Sequence, residues 1–218
     1  LFASLSILPV NHLQLYGSFY LDEVKFARFK KSHPQNNPIS YLLGFNWIGW
    51  PLNGLSFKGE FMRSYIACYT HSIDVLDWSS NSYNMGHYMG DNAQSIYAEL
   101  AYRPVRGLLL KCSYTNDMKY NSYSYLRDNI GETISEKPFD YCIYRNDEIR
   151  LDGVYEAHSN MYLTLSFGYN NARGFDNIKT DALPSEDLGN SQYYLDKFCP
   201  LFYQGKNFTA SIAFSFGF

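Results

Sequence analysis

Along most of this chain apolar and small polar residues alternate one by one. The clearest run is 206–218, where Phe208, Ala210, Ile212, Phe214, Phe216 and Phe218 share one phase. Thr209, Ser211, Ala213, Ser215 and Gly217 occupy the other. Side chains of an extended strand point alternately to opposite faces, so the run predicts a strand with one apolar and one small polar face. The pattern recurs. Leu13, Leu15, Gly17, Phe19 and Leu21 are in phase within 12–22, and Tyr41, Leu43, Phe45 and Trp47 within 39–47. Leu55, Phe57, Gly59 and Phe61 follow within 55–65, and Ile96, Ala98, Leu100 and Tyr102 within 93–102. Strands are also predicted over 108–114, over 148–156 with Ile149, Leu151, Gly153 and Tyr155 in phase, and over 161–169 with Met161, Leu163, Leu165, Phe167 and Tyr169. Residues 2–8 read as part of a ninth strand.

Short and long connections take turns between these strands. Leu8-Pro9-Val10-Asn11-His12-Leu13, Trp50-Pro51-Leu52-Asn53-Gly54-Leu55 and Arg103-Pro104-Val105-Arg106-Gly107-Leu108 share one plan. Proline presets a turn dihedral, Asn or Gly accepts the left-handed position, and leucine restarts the strand. Residues 157–160 make a fourth short turn. The long connections, 23–38, 66–92, 115–138 and 170–205, are rich in Ser, Asn, Asp and Tyr. Further strands are conceivable within the last, near 192–202.

A free strand carrying a row of phenylalanines aggregates in water, whereas in a bilayer the same row faces lipid and the polar row faces a lumen. The terminal strand resembles the C-terminal strand of bacterial outer-membrane β-barrels, which implies recognition by the barrel assembly machinery through the strand ending at Phe218. The expected fold is therefore all-β, a transmembrane antiparallel outer-membrane β-barrel with short turns in the periplasm and long loops outside. Composition agrees. Aromatic residues make up 18% of the chain, with 21 Tyr and 16 Phe, as aromatic girdles require, and charged residues only 18%. The mean hydropathy of -0.32 is that of strands apolar on one face only. No apolar run reaches the length of a membrane-spanning helix. A net charge of -3 argues against a nucleic-acid partner. Single-chain bacterial barrels normally have an even strand number. An odd count leads to the expectation that residues 1–218 form one barrel domain that is N-terminally incomplete, the C-terminal part of a barrel with about 16–18 strands. Leu1 to Val10 lack the features of a signal peptide.

The segment Ser82-Tyr83-Asn84-Met85-Gly86-His87-Tyr88-Met89-Gly90-Asp91-Asn92-Ala93, with Ile96-Tyr97 and the Tyr102-Arg103-Pro104 turn, resembles Bacteroidetes outer-membrane proteins of the capsule assembly (Wzi-type) family. Leu15-Tyr16-Gly17-Ser18-Phe19-Tyr20-Leu21-Asp22-Glu23 fits the same resemblance. It implies a large monomeric barrel that attaches or organises capsular polysaccharide at the cell surface, with no catalytic set and no cofactor.

Candidate chemistry lies at two levels. Tyr83, His87, Tyr88, Asp91 and Asn92 sit where a long loop re-enters a strand. Aromatic faces stack on sugar rings and carboxamides bond hydroxyls, so this is the candidate polysaccharide site. A loop anchor built on Gly86, Gly90 and the turn-forming Asp91 and Asn92 is the simpler reading. Lys58, Glu60, Lys111, Arg150, Asp152 and Glu156 fall in the polar phase of their strands. Charge toward lipid is costly, so they should line the lumen, where they would set the ion preference of a pore. Tyr114, Tyr120, Tyr123 and Tyr125 with Asn116, Asn121 and Asp117 form a second polar-aromatic cluster, with Tyr114 read as part of an interface girdle. Asp176, Asp181, Glu186 and Asp187 miss the calcium-loop spacing, and His71, Ser72 and Asp74 give only a weak hydrolase signal. Cys68, Cys112, Cys142 and Cys199 match no zinc pattern and are expected as free or mixed thiols. No nucleophile elbow, zinc-binding helix or phosphate loop is present, so the reading is a non-enzymatic protein without metal.

Overall fold

The computed structural model describes residues 1–22, 24–30, 37–69, 79–80, 83–120, 138–176 and 190–217. Nine strands form one antiparallel sheet, and each lies beside its sequence neighbour within that sheet. They are β1 (Phe2–Val10), β2 (Leu13–Leu21), β3 (Ile39–Ile48), β4 (Leu55–Ser64), β7 (Ala93–Tyr102), β8 (Leu108–Tyr120), β9 (Cys142–His158), β10 (Met161–Gly174) and β11 (Gly205–Phe216). Two further short strands, β5 (Ser79–Ser80) and β6 (Tyr83–Asn84), pair in the long connection after β4. The sheet is open, with β1 and β11 at its edges. No helix among the described residues is long and apolar enough to cross a membrane.

All nine strands expected from the alternation are present, and the registers keep its phases. Phe57 pairs with Trp47 and Leu100, and Cys112 with Leu100 and Leu151. Leu165 lies between Gly153 and Ile212. One face is thus apolar across the sheet, and it is exposed: Leu43 is 57%, Phe167 57% and Ile212 75% accessible. The buried residues lie elsewhere, mostly at the long-loop end.

The structure corrects the boundaries at that end. β8 continues to Tyr120 and β9 begins at Cys142, so residues expected in a long connection extend the ladder. Near 192–202, where further strands were conceivable, helix α1 (Ser191–Phe198) forms instead, with the Asn190 side chain accepting from the Tyr193 amide. That cap satisfies an otherwise orphaned helix donor. The short turns follow their plan with one change. Gly54, Gly107 and Asn160 take positive φ, but in the first turn His12 does so rather than Asn11. The strained backbone at His12 is held by its imidazole, whose Nδ1 donates to the Ile48 carbonyl at 2.7 Å.

Each short hairpin is offset from the one before. The cross-strand row that starts at Leu13, the first residue of β2, runs through Trp47, Phe57, Leu100, Cys112, Leu151 and Phe167 to Ala210. β11 continues six residues beyond Ala210, to Phe216. The short-turn end of the sheet therefore descends by about one residue per strand, since strands twist and shear as they add.

Candidate functional site

The polar face carries a chain of charged and hydroxyl groups across six strands. Tyr16 on β2 lies across Gly44 on β3 and donates its hydroxyl to Glu60 on β4 at 2.6 Å. A Cβ at Gly44 would come within 2.4 Å of that ring, so the absent side chain is what lets tyrosine reach two strands away. Glu60 also pairs with Lys58 at 3.1 Å. On β7, Tyr97 donates to Glu99 at 2.7 Å, and Lys111 on β8 approaches the same carboxylate at 4.0 Å. On β9, Arg150 pairs with Asp152 at 3.1 Å, and Ser166 on β10 donates to Asp152 at 2.5 Å.

Four of the six residues expected to line a lumen are thus joined in ion pairs of 3.1 Å on one face, Lys111 stands 4.0 Å from Glu99, and Glu156 lies exposed on the same face near the short-turn end. The ladder also includes Tyr16, Tyr97, Glu99 and Ser166, none of which was among the residues expected to line a lumen. Glu99 was findable there, because it stands out of phase with Ala98 and Leu100.

At the long-loop end, two connections fold inward over this face. Met89 from one and Leu195 and Phe198 of α1 from the other pack against Tyr144, Ala172 and Cys199. The segment around Met89 contains the residues singled out as a polysaccharide site, and most of them hold the loop down. Asp91 accepts from the Ala67 amide at 3.0 Å and pairs with Lys119 at 3.1 Å, and Lys119 also donates to the Asp91 carbonyl. Asn92, 1% exposed and at positive φ, accepts from the Phe139 amide at 3.1 Å. Ser64 donates to the Gly90 carbonyl at 2.6 Å. Gly86 passes so close to Tyr69 that a Cβ would meet the ring at 2.3 Å. Tyr69 in turn donates to Ser40 and stacks on Tyr20.

His87 is half-buried against Tyr88, with ring centroids 4.2 Å apart, and its Nδ1 accepts from the Met89 amide. Burial lowers its imidazole to about 4. Tyr88 differs from its neighbours. Its residue is 68% exposed, while its hydroxyl donates to Asp117 at 2.6 Å, so an accessible aromatic ring is fixed at its far end. Burial and that bond raise the phenol. The Tyr83 backbone pairs with Ser80.

The remaining expectations divide. Tyr123, Tyr125, Asn121, His71, Ser72, Asp74, Asp181, Glu186, Asp187 and Phe218 lie outside the described residues. Asp176 accepts from the Ser191 amide at the start of α1. Tyr114 and Asn116 both donate to Asp147 on the apolar face, whereas Asp117 lies on the polar face. Tyr120 packs edge-on against Phe139. All four cysteines are free, with Cys68 and Cys199 buried, Cys142 half-buried and Cys112 exposed among Leu100 and Leu151. Among the described residues no group of His, Cys, Asp and Glu is placed to hold a metal ion.

The His87 geometry carries a pH prediction. An imidazole neutral in the folded loop but titrating normally when released binds fewer protons folded than unfolded between pH 6.5 and 4. Closure of the 85–92 segment should therefore be fully stable above pH 6.5 and weaken as pH falls toward 4. Amide exchange of that segment, compared at pH 7 and 4.5 after correction for intrinsic rates, checks this. In His87→Phe the difference should shrink.

Comparison with protein-family models, with curated proteins and with solved structures finds no match to this chain.

Proposed function

We propose that this chain is part of a bacterial outer-membrane β-barrel that attaches or organises capsular polysaccharide at the cell surface. The observation that carries the membrane reading is the pairing of an exposed apolar face with an ion-paired polar face. In water the first would be a large aggregation-prone surface. Against lipid it is a normal barrel exterior, and the second a normal interior.

The shear of the sheet supports the same reading. Six residues of descent over seven strand-to-strand steps, at roughly 3.4 Å per residue and 4.8 Å per strand, give a slant of about 30°. Strands in closed barrels tilt by about 35–45°, so strands tilted this way would bring the short turns close to one plane. On β10 the apolar phase runs from Met161 to Tyr169. At about 3.4 Å per residue, shortened by the tilt, it spans about 23 Å, close to the apolar height of about 25 Å typical of such barrels.

The capsule reading rests on the resemblance carried by residues 82–93, 96–97 and 102–104, and by residues 15–23. Within it, Tyr88 is the sugar-contacting ring, and Asp91, Asn92 and His87 hold the loop that presents it. A second reading, a pore for small solutes, is favoured by the ion-pair ladder on the polar face. Deleting the gene and restoring it in the native organism separates the two. Capsule should be lost on deletion, return with the wild-type protein and return only partly with Tyr88→Ala. An unchanged capsule, together with stepwise conductance of the purified protein in planar bilayers, would replace the first reading with the second.

A further inference from the structure

Charged residues are rare on the apolar face, and several gather at one place. Arg145 and Asp147 on β9 continue the phase of Ile149 and Leu151, and Arg173 on β10 continues that of Phe167 and Tyr169. Both guanidinium groups converge on one carboxylate. Arg145 reaches Asp147 Oδ1 and Arg173 reaches Oδ2, each at 2.9 Å. Tyr114 and Asn116 donate to the same carboxylate at 3.0 and 2.7 Å. Lys206 on β11 stands in the same cross-strand row as Asp147, through Asn171, and is exposed. Two cations thus share one anion and a third stands two strands further along the same row, a local excess of two positive charges. Directly below lies the row Tyr114, Ile149, Tyr169 and Phe208, which begins the apolar band.

We propose that Arg145, Arg173 and Lys206 form a binding site for the phosphate of an anionic lipid in the outward-facing leaflet. This rests on the membrane reading above. Lipid phosphates lie just outside the hydrocarbon, the level these cations occupy relative to the band. Asp147 fixes the two guanidinium groups side by side and leaves each with N–H donors for a second, bidentate partner. The rings of Tyr169 and Phe208, 4.9 Å apart, offer an apolar floor for the first carbons of the acyl chains.

The test uses the protein reconstituted into bilayers of phosphatidylcholine containing phosphatidic acid, with lipid retention read by native mass spectrometry after transfer to detergent. The wild type should retain phosphatidic acid preferentially. In the Arg145→Gln, Arg173→Gln, Lys206→Gln triple variant that preference should fall about tenfold or more, since each surface cation adds substantially to anionic-lipid attraction. Arg150→Gln, which removes a cation from the polar face, should leave it unchanged. Lys206→Gln alone preserves both Asp147 ion pairs, and should lower the preference several-fold if the triple variant inserts poorly. Equal retention by wild type and variants would overturn the proposal, as would displacement by millimolar inorganic phosphate, which would mark a free-anion site. Failure of the wild type to insert would overturn the membrane reading instead, and the lipid site with it.

Discussion

Leu165→Arg is expected to block membrane insertion, while Ser211→Arg inserts as the wild type does. Leu165 is the middle residue of the Met161–Tyr169 apolar phase and lies between Gly153 and Ile212 on the neighbouring strands. An arginine there would sit near the bilayer midplane, at a cost of about 2–4 kcal/mol in barrel hosts. Ser211 is next to Ile212 in sequence but pairs with Ser166 on the polar face. An arginine at 211 enters a face already populated by Arg150, Asp152 and Glu148, where water and carboxylates can solvate it. Folding yield of the full-length protein in lipid vesicles, read by heat-modifiable gel mobility, checks both. Similar yields for the two variants would mean that the face assignment, and with it the membrane reading, is wrong.

The second large effect is expected at Lys119. Its side chain is 7% exposed, and it holds both the carboxylate and the carbonyl of Asp91. Lys119→Met would keep the aliphatic stem but leave Asp91 without its countercharge in a partly buried position. Removing one partner from such a pair costs roughly 1–3 kcal/mol once the residual exposure of Asp91 is allowed for. The loss should be local, opening the described residues around the pair, 66–69 and 85–92, and limited proteolysis should find it there while the strands stay protected. Asp91→Asn should cost a similar amount, because it strands the more deeply buried Lys119 ammonium even though the amide oxygen can still accept from Ala67. The double variant should lie above Lys119→Met in stability, because no unpaired charge remains. A double variant no more stable than Lys119→Met would show that the charge pair is not what closes the loop.

The two expectations separate what alternation can encode from what it cannot. Between Leu55 and Phe61, or Met161 and Tyr169, period-two phasing is enforced by a single large free-energy difference, apolar against polar surroundings. A slip of one residue would reverse every side chain, so strands and faces were legible there. Above the apolar band that contrast disappears. Residues 115–120 and 142–147 carry Asn116, Asp117, Lys119, Arg145 and Asp147 on both faces, and the ladder continues there through backbone hydrogen bonds and polar side-chain pairs such as Asn116 with Asp147. Nothing in the pattern marked those extensions. Helix α1 was missed for a related reason, since its one clear signal, the Asn190 cap, sits in a polar stretch that reads as loop.

The sequence by itself marked nine strands, each with one apolar and one polar face, and the short turns between them, because local alternation and turn residues suffice to specify both; that these strands lie in chain order in one open antiparallel sheet came from the structure. Only the tertiary structure decided which charges meet. Lys111 approaching Glu99, Tyr16 reaching Glu60 over Gly44, and Arg173 reaching Asp147 depend on register between strands and, for Tyr16, on a glycine that lets the side chain cross. It also supplied the partners through which Asp91, Asn92 and His87 fasten a loop, the simpler of the two readings of that segment, because burial obliges their polar atoms to find partners within the chain. Tyr88 keeps an exposed ring.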